Sequence, residues 1–287
     1  MKVLATGLDF PSDIAVDATH AYVLASDALV RVSLDGDGGP AEAFFGSRSP
    51  LAGLAMDAES VFSFRKADGA LLAIPKTGGP ARPIAKLPAA YSIAADASDL
   101  YVTSGAIGGT ITRVPKAGGD PVTMVADLDF PSDVAMVGEA MWFVEYGRKR
   151  IGRVAKTGGA VSWIATSPTI IHAFAPFVGG IAWVDTGVRA LRDGDREPRE
   201  VWYLGSQTVT VRDGFAYWAM ELERASGVFR RPLAGGERVK LADCPERVEA
   251  MTTDERFLYL AERGAKLGTL LEPRSARVLR VPLPAGP

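Results

Sequence analysis

Polar residues able to bind or catalyse recur along this 287-residue chain at nearly regular intervals. One set closes aromatic or β-branched runs: Asp27, Arg65, Glu145, Asp185, Glu221 and Glu262. A second set opens alternating runs: Asp13, Tyr91, Asp133, His172, Gln207 and Glu249. Carboxylates gathered in this way suit hard divalent cations, so Mg²⁺, Ca²⁺ or Mn²⁺ is the cofactor they would hold, with Glu145 and Glu262 as metal ligands. They would also recognise a cationic ligand, or supply an acid and a base once crowding separates their pKa values. In a catalytic reading Glu262 and Glu221 serve as ligand or base and His172 as proton carrier. In a binding reading the contacts are Asp13, Tyr91, Asp133, Arg65, Tyr146, Asp185, Gln207, Glu249 and Arg263. The alternative for all of them is ordinary: polar loop ends are solvated, and a lone histidine is satisfied by its neighbours.

The elements that must position these groups are visible as a repeat. Gly pairs close "DGDGG" at Gly39, "PKTGG" at Gly79, "PKAGG" at Gly119 and "AKTGG" at Gly159, 40 residues apart each time. The tag fades around Gly194, returns at Gly236 and ends at Gly286, which makes seven units. Each unit runs in one order: an alternating stretch such as "DIAVD" or "GLAMD", an aromatic or β-branched stretch such as "AYVLAS" or "MWFVE", a third such as "TITRV", the Gly tag, and a fourth such as "VTMVAD". Period-two alternation with Gly, Asp and Pro turns predicts strands, and no window carries a helical stripe. Four antiparallel strands repeated about every 40 residues predict an all-β, seven-bladed β-propeller. A blade cannot bury both faces alone, so residues 1–287 read as one domain with blades near 8–48, 49–86, 87–127, 128–166, 167–205, 206–243 and 244–287. The last unit lacks a fourth strand and "MKVLAT" precedes the first, so residues 1–7 are expected to close the ring. Ala15, Ala55, Ala94 and Ala135 fit a crowded position on the innermost strands.

Composition narrows the partners. With 47% apolar residues the chain can bury a large core, and its formal net charge of −2 gives no reason to expect nucleic acid or an anionic membrane. The three bases of "GRKRIG" read as a solvated hairpin tip rather than a phosphate-binding patch. The single cysteine, Cys244, cannot form an internal disulfide and reads as a small buried hydrophobe. No stretch has the roughly 18 to 20 consecutive apolar residues of a membrane span, and "MKVLATGLDFP" lacks a signal-peptide core. A cytoplasmic protein, or the mature form of an exported one, is expected as a monomer whose partner is a small molecule or a protein.

The hexapeptide Leu-Asp-Phe-Pro-Ser-Asp occurs twice, at Leu8 and at Leu128, 120 positions apart. Both copies fall where one blade hands over to the next. Phe10-Pro11 and Phe130-Pro131 are expected to pack and stiffen the crossover. Ser12, Asp13, Ser132 and Asp133 either satisfy local backbone donors, as such residues do after a turn, or set Asp13 and Asp133 facing each other across a channel mouth.

The run "MWFVEYGRKRIGRVAKTGG", from Met141 to Gly159, resembles blades of the virginiamycin B lyase-like and NHL-type propellers, and "DLYVTSGAIGGTITRVPKAGG" resembles the YWTD-like bacterial propellers. The lyase resemblance implies a seven-bladed propeller with a divalent metal and a site of histidines and a glutamate near the channel. "LYLAERGAKLG" matches that glutamate as Glu262 but has no histidine beside it; His172 lies two units away. The long seventh-unit hairpin, "ERGAKLGTLLEPRSARV", and the charged sixth-unit hairpin, "MELERASG", are expected over the same end. Two functions follow: a module binding a ligand or protein on the channel-mouth face, or a metal-assisted lyase or hydrolase on that face.

Overall fold

A computed structural model describes residues 1–26, 28–47, 49–203, 206–221, 226–244, 246–264, 266–267, 270–271 and 274–284. Among the described residues every regular element is a strand, and none is a helix able to cross a membrane. The strands form seven four-stranded antiparallel blades and one two-residue hairpin, Lys266–Leu267 with Leu270–Leu271. From inner to outer strand, blade 3 is Ala90–Ala95, Asp99–Ser104, Ile107–Pro115 and Val122–Asp129, and blade 4 is Pro131–Val137, Ala140–Glu145, Arg150–Ala155 and Ser162–Thr166. Blade 1 starts at Pro11–Val16, blade 2 at Leu51–Met56, blade 5 at Ala173–Phe177, blade 6 at Ser206–Arg212 and blade 7 at Val248–Thr253. The N-terminal strand Lys2–Leu8 pairs with Ala276–Pro282 and is the fourth strand of blade 7, as the missing strand in the repeat requires. The fold is a seven-bladed β-propeller.

The described residues cluster in two compact units, Met1–Gly46 with His172–Pro287, and Ser47–Ile171. In the first, the inner strands of blades 5, 6, 7 and 1 lie side by side in that order; in the second, those of blades 2, 3 and 4 do. Apolar side chains from facing sheets fill the spaces between these blades, for instance Ile93, Phe64 and Leu71 between blades 2 and 3. The period read from the Gly tag has a backbone cause: in blade 2 Gly78 and Gly79 sit at φ 89° and 102°, which only glycine adopts freely.

In blades 1 to 4 one inner-strand alanine of each faces an aromatic: Ala15 opposite Tyr22, Ala55 opposite Phe62, Ala94 opposite Tyr101, Ala135 opposite Trp142. The alanines make room for these rings. A second device, spaced Asp-x4-Tyr, ties the hairpin between the first two strands. Asp96 Oδ1 accepts the Ser98 and Asp99 amides at 3.0 and 2.8 Å, and its Oδ2 accepts the Tyr101 hydroxyl at 3.0 Å. Asp254 and Tyr259 repeat this at 2.6 Å. In blade 2 the aromatic is Phe62, which has no hydroxyl, and Lys116 of blade 3 donates to Asp57 Oδ2 at 2.9 Å instead, its ammonium 5.1 Å from the Phe62 ring centre. Burial, and then the adjacent Asp17, push the Tyr22 phenol up to about 12.

Candidate functional site

At the crossover end of the blades, register decides which side chains project. In five blades the inner strand carries a β-bulge just after its first residue, and the extra residue is Ser12, Tyr91, Ser132, Gln207 or Glu249. A bulge re-aims its side chain away from the ladder. Asp13 and Asp133, grouped with Tyr91 by sequence, stand one residue further on, inside the ladder. The second-strand set shifts in the same way: Arg65, Glu145 and Glu262 end their strands opposite Ala70, Arg150 and Arg277, whereas Asp185 and Glu221 follow Val184 and Met220 by one.

In three of these blades the residue before the bulged strand is left-handed: Phe10, Ala89 and Phe130, with φ of 44°, 55° and 49°. This left-handed conformation is strained for a bulky residue, and more so before proline. The gain is a backbone bond: the carbonyls of Ala89 and Phe130 accept the Gly105 and Tyr146 amides at 3.0 and 2.9 Å. The same turn buries Pro11 and Pro131 while leaving Phe10 57% and Phe130 40% exposed. The expectation that both phenylalanines pack into the crossover is therefore corrected; only the prolines do.

In the unit Ser47–Ile171 these features converge. Tyr91, the bulge residue of blade 3, Phe130 at the entry to blade 4 and Tyr146 after its second strand are 51%, 40% and 40% exposed. With Pro131 and Ser132 they line an apolar hollow of about 260 Å³. A second hollow of about 350 Å³ adjoins it, sharing Tyr91 and lined also by Phe64, Arg65 and Lys66. The floor is stiff. Glu145, fully buried, accepts the Asp129 amide and Arg148 Nη1 on Oε1, each at 2.8 Å, and Arg150 Nε on Oε2. The Arg150 guanidinium lies 3.3 Å from the Trp163 ring centre. Gly147 donates to the Asp129 carbonyl at 3.0 Å, and a Cβ on it would run into the Asp129 carboxylate.

Glu145 and Glu262, expected to hold metal, are bonded into the blades, and so is Asp185. Glu145 is enclosed as described. Glu262, also fully buried, accepts Arg277 Nε at 2.8 Å, the Cys244 thiol at 3.2 Å and the Glu246 amide at 3.2 Å. Asp185 accepts Arg189 Nε at 2.8 Å and the Trp183 indole at 3.3 Å. With their lone pairs filled by guanidinium and amide donors, Glu145 and Glu262 do not fit a divalent cation, and no group of three or more His, Cys, Asp or Glu suited to a metal occurs among the described residues. Cys244 is buried as expected; burial, and then Glu262, push its thiol up, so it stays protonated.

The remaining candidates scatter. His172 is exposed, its amide bonded to the Val184 carbonyl at 2.8 Å, and Glu221 is exposed. Among the described residues no hydrogen bond or ion pair joins either to Glu262. Arg65 makes a two-point pair with Asp68 at 2.9 and 2.7 Å. Glu249 pairs with Arg263 and, at 3.3 Å, with Arg247, whose Nη2 donates to Gln207 Oε1 at 3.3 Å. Asp13 Oδ1 caps the Ile14 amide at 2.9 Å. Ser132 Oγ donates to Asp133 Oδ2 at 3.0 Å; burial raises the Asp133 carboxyl above the ordinary range, with that hydroxyl opposing. Asp27, the side chain of Lys266 and most of the sixth-unit hairpin lie outside the described residues. Phe130 is the site residue that sequence reasoning missed. Its signal was a large aromatic between an aspartate and a proline, at a turn where a glycine would be unstrained.

No protein-family model matches the chain, and no curated protein sequence matches it. Among solved structures, seven-bladed and related β-propellers align over nearly its full length. Catalytically inactive virginiamycin B lyase from Staphylococcus aureus with quinupristin is 15% identical, with 97% of this chain and 95% of that one covered at a TM-score of 0.71. The RRP9 WD40 repeats are 12% identical, covering 99% and 97% at 0.77. A chain of a nidogen/laminin complex is 17% identical, covering 78% and 94% at 0.59. At these identities the likeness establishes the propeller fold, which serves enzymes and binding proteins alike.

Proposed function

We propose that this propeller is a ligand-binding module whose seat is the cleft between Tyr91, Phe130 and Tyr146. The observation that carries the reading is the convergence of three exposed aromatic side chains on one apolar hollow, two of them directly following Asp129 and Glu145, which are bonded to each other. Aromatic faces bind flat apolar groups by stacking, and a backbone already held in place lowers the ordering cost of doing so. The hollow and its neighbour, about 260 and 350 Å³, together fall in the range of small-molecule sites. The solved lyase with quinupristin is a case of a small ligand on this fold.

The test is a protein-observed NMR titration with 3-phenylpropan-1-ol. Saturable shifts are expected at the amides of 90–92, 130, 132 and 146–148, and they should vanish in Tyr91→Ala/Tyr146→Ala. Shifts confined to other blades, or none up to the solubility limit, would refute the seat.

A further inference from the structure

We infer that the ligand of this cleft is an aryl carboxylate, its flat group in the hollow of Phe130, Pro131 and Tyr146 and its anionic end over Lys66. The inference rests on the cleft being the binding seat and adds the chemical class. Three observations carry it. Tyr91 lines both hollows, so a ligand stacked against one part of its surface can continue into the other. The two hollows differ in character: the first is lined by three aromatics, a proline and a serine, the second by Arg65 and Lys66. Cations are in excess there. Lys66 is exposed and has no side-chain partner among the described residues, whereas Asp68 is occupied by Arg65 at 2.9 and 2.7 Å.

The titration of Asp68 agrees with that balance. The bonded Arg65 guanidinium, with Lys86 contributing, holds its carboxyl down at about 2, so the pair stays ionised at neutral pH and contributes no net charge. Lys66 therefore supplies the uncompensated charge. An anion reaching this end meets a point cation that is already solvated and mobile, which adjusts to a carboxylate without loss of an existing bond. Tyr91, common to both hollows, is where the linker between ring and carboxylate would cross. A cationic ligand, the partner suggested by counting carboxylates in the sequence, meets no carboxylate among the described residues lining these hollows.

Matched probes separate this inference from the reading beneath it: 3-phenylpropionate, its neutral analogue 3-phenylpropan-1-ol, and propionate. Wild-type protein should bind the aryl acid about two- to fivefold more tightly than the alcohol, the effect of one exposed ion pair, and propionate more weakly than either. Lys66→Gln should remove the preference for the acid and leave the alcohol unchanged, and raising the salt concentration should mimic it. Tyr146→Ala should weaken both aryl compounds together. Equal binding of acid and alcohol in the wild type, or a preference that survives Lys66→Gln, overturns the carboxylate while the aromatic seat stands. Failure of both aryl compounds overturns the seat and this inference with it. Circular dichroism melts of each variant confirm that the compared proteins are folded.

Discussion

The two copies of Leu-Asp-Phe-Pro-Ser-Asp adopt one backbone and meet different company. Phe10 and Phe130 share a left-handed φ of 44° and 49°, and both are followed by a buried proline and a bulge at the next serine. Around Phe130 the residue after the second strand is Tyr146, and the bulge residue of the preceding blade is Tyr91. Around Phe10 the corresponding residues are Ser26 and Glu249, the latter paired with Arg263. Support differs as well. Asp129 is held from beneath by buried Glu145, whereas Asp9 turns outward and accepts the Arg274 amide at 2.7 Å. The position that carries Glu145 in blade 4 carries Ala25 in blade 1. A local sequence repeated word for word thus specifies a turn, and the neighbours two strands away decide whether that turn becomes a site.

The largest way to break this comparison is to remove the support of the second copy. Glu145→Ala strands Arg150 and the Asp129 amide, and loss of one partner from a buried ion pair typically costs about 3–5 kcal/mol. Urea denaturation should show a loss of that order. Glu145→Leu/Arg150→Leu, which recreates the kind of apolar pair that blade 1 has at Ala25 and Ala28, should recover most of it. If the single variant were nearly as stable as wild type, Glu145 would be free for another role and its structural assignment would be wrong.

A smaller effect separates turn from site. Phe130→Gly and Phe10→Gly each relieve a left-handed φ and lose the entropy advantage of a side chain. The two effects, each about 1 kcal/mol, oppose, so stability should move by no more than about 1 kcal/mol in either variant. Affinity for 3-phenylpropan-1-ol should fall about three- to tenfold in Phe130→Gly and not at all in Phe10→Gly. Equal losses in both would mean that the seat is not where the three aromatics converge.

The blades were legible because glycine pairs, alternation and aspartate turns are local signals, repeated often enough to reinforce one another. The closing strand was legible from a deficit, a fourth strand missing from the last repeat. Tyr91, Arg65 and Tyr146 were found by aligning repeats. That alignment was one residue off at Asp13 and Asp133, because a bulge adds a residue that alternation alone does not mark, and at Asp185 and Glu221, which lie one residue past the last paired position of their strands. The carboxylates misled for a different reason. A glutamate in sequence looks the same whether it faces water or an arginine, and the partners of Glu145 and Glu262 lie five and 15 positions on, across a hairpin. Phe130 was passed over because an aromatic beside proline ordinarily packs, and its exposure depends on the sign of φ.

Protonation of the second copy provides a subtler test. Burial raises the Asp133 carboxyl, so the folded state holds its proton more tightly than the unfolded chain does. As pH rises from the unfolded value, about 3.9, through the folded one, the unfolded state ionises first and stability falls. Asp133→Asn keeps an acceptor for Ser132 and removes the penalty. It should therefore be more stable than wild type at pH 7, with the gain disappearing as pH is lowered to 3. A gain that persists unchanged at pH 3 would show that the charge of Asp133 is not the cause.

The smallest effect belongs to the outward-facing support of the first copy. The Arg274 guanidinium is 79% exposed and 3.8 Å from the Asp9 carboxylate, an arrangement in which solvent screens most of the attraction. Arg274→Ala removes that pair but leaves the backbone amide that Asp9 also accepts, so the loss should be within about 0.5 kcal/mol and should shrink further as salt is raised. Asp9→Ala removes both the pair and the amide's acceptor, so it should cost more than Arg274→Ala yet far less than Glu145→Ala, because water can replace a lost partner at the surface and cannot beneath blade 4. An Asp9→Ala loss matching that of Glu145→Ala would mean that the outward copy is as strongly tied as the inward one. The divergence of the two sites would then rest on their aromatic neighbours alone.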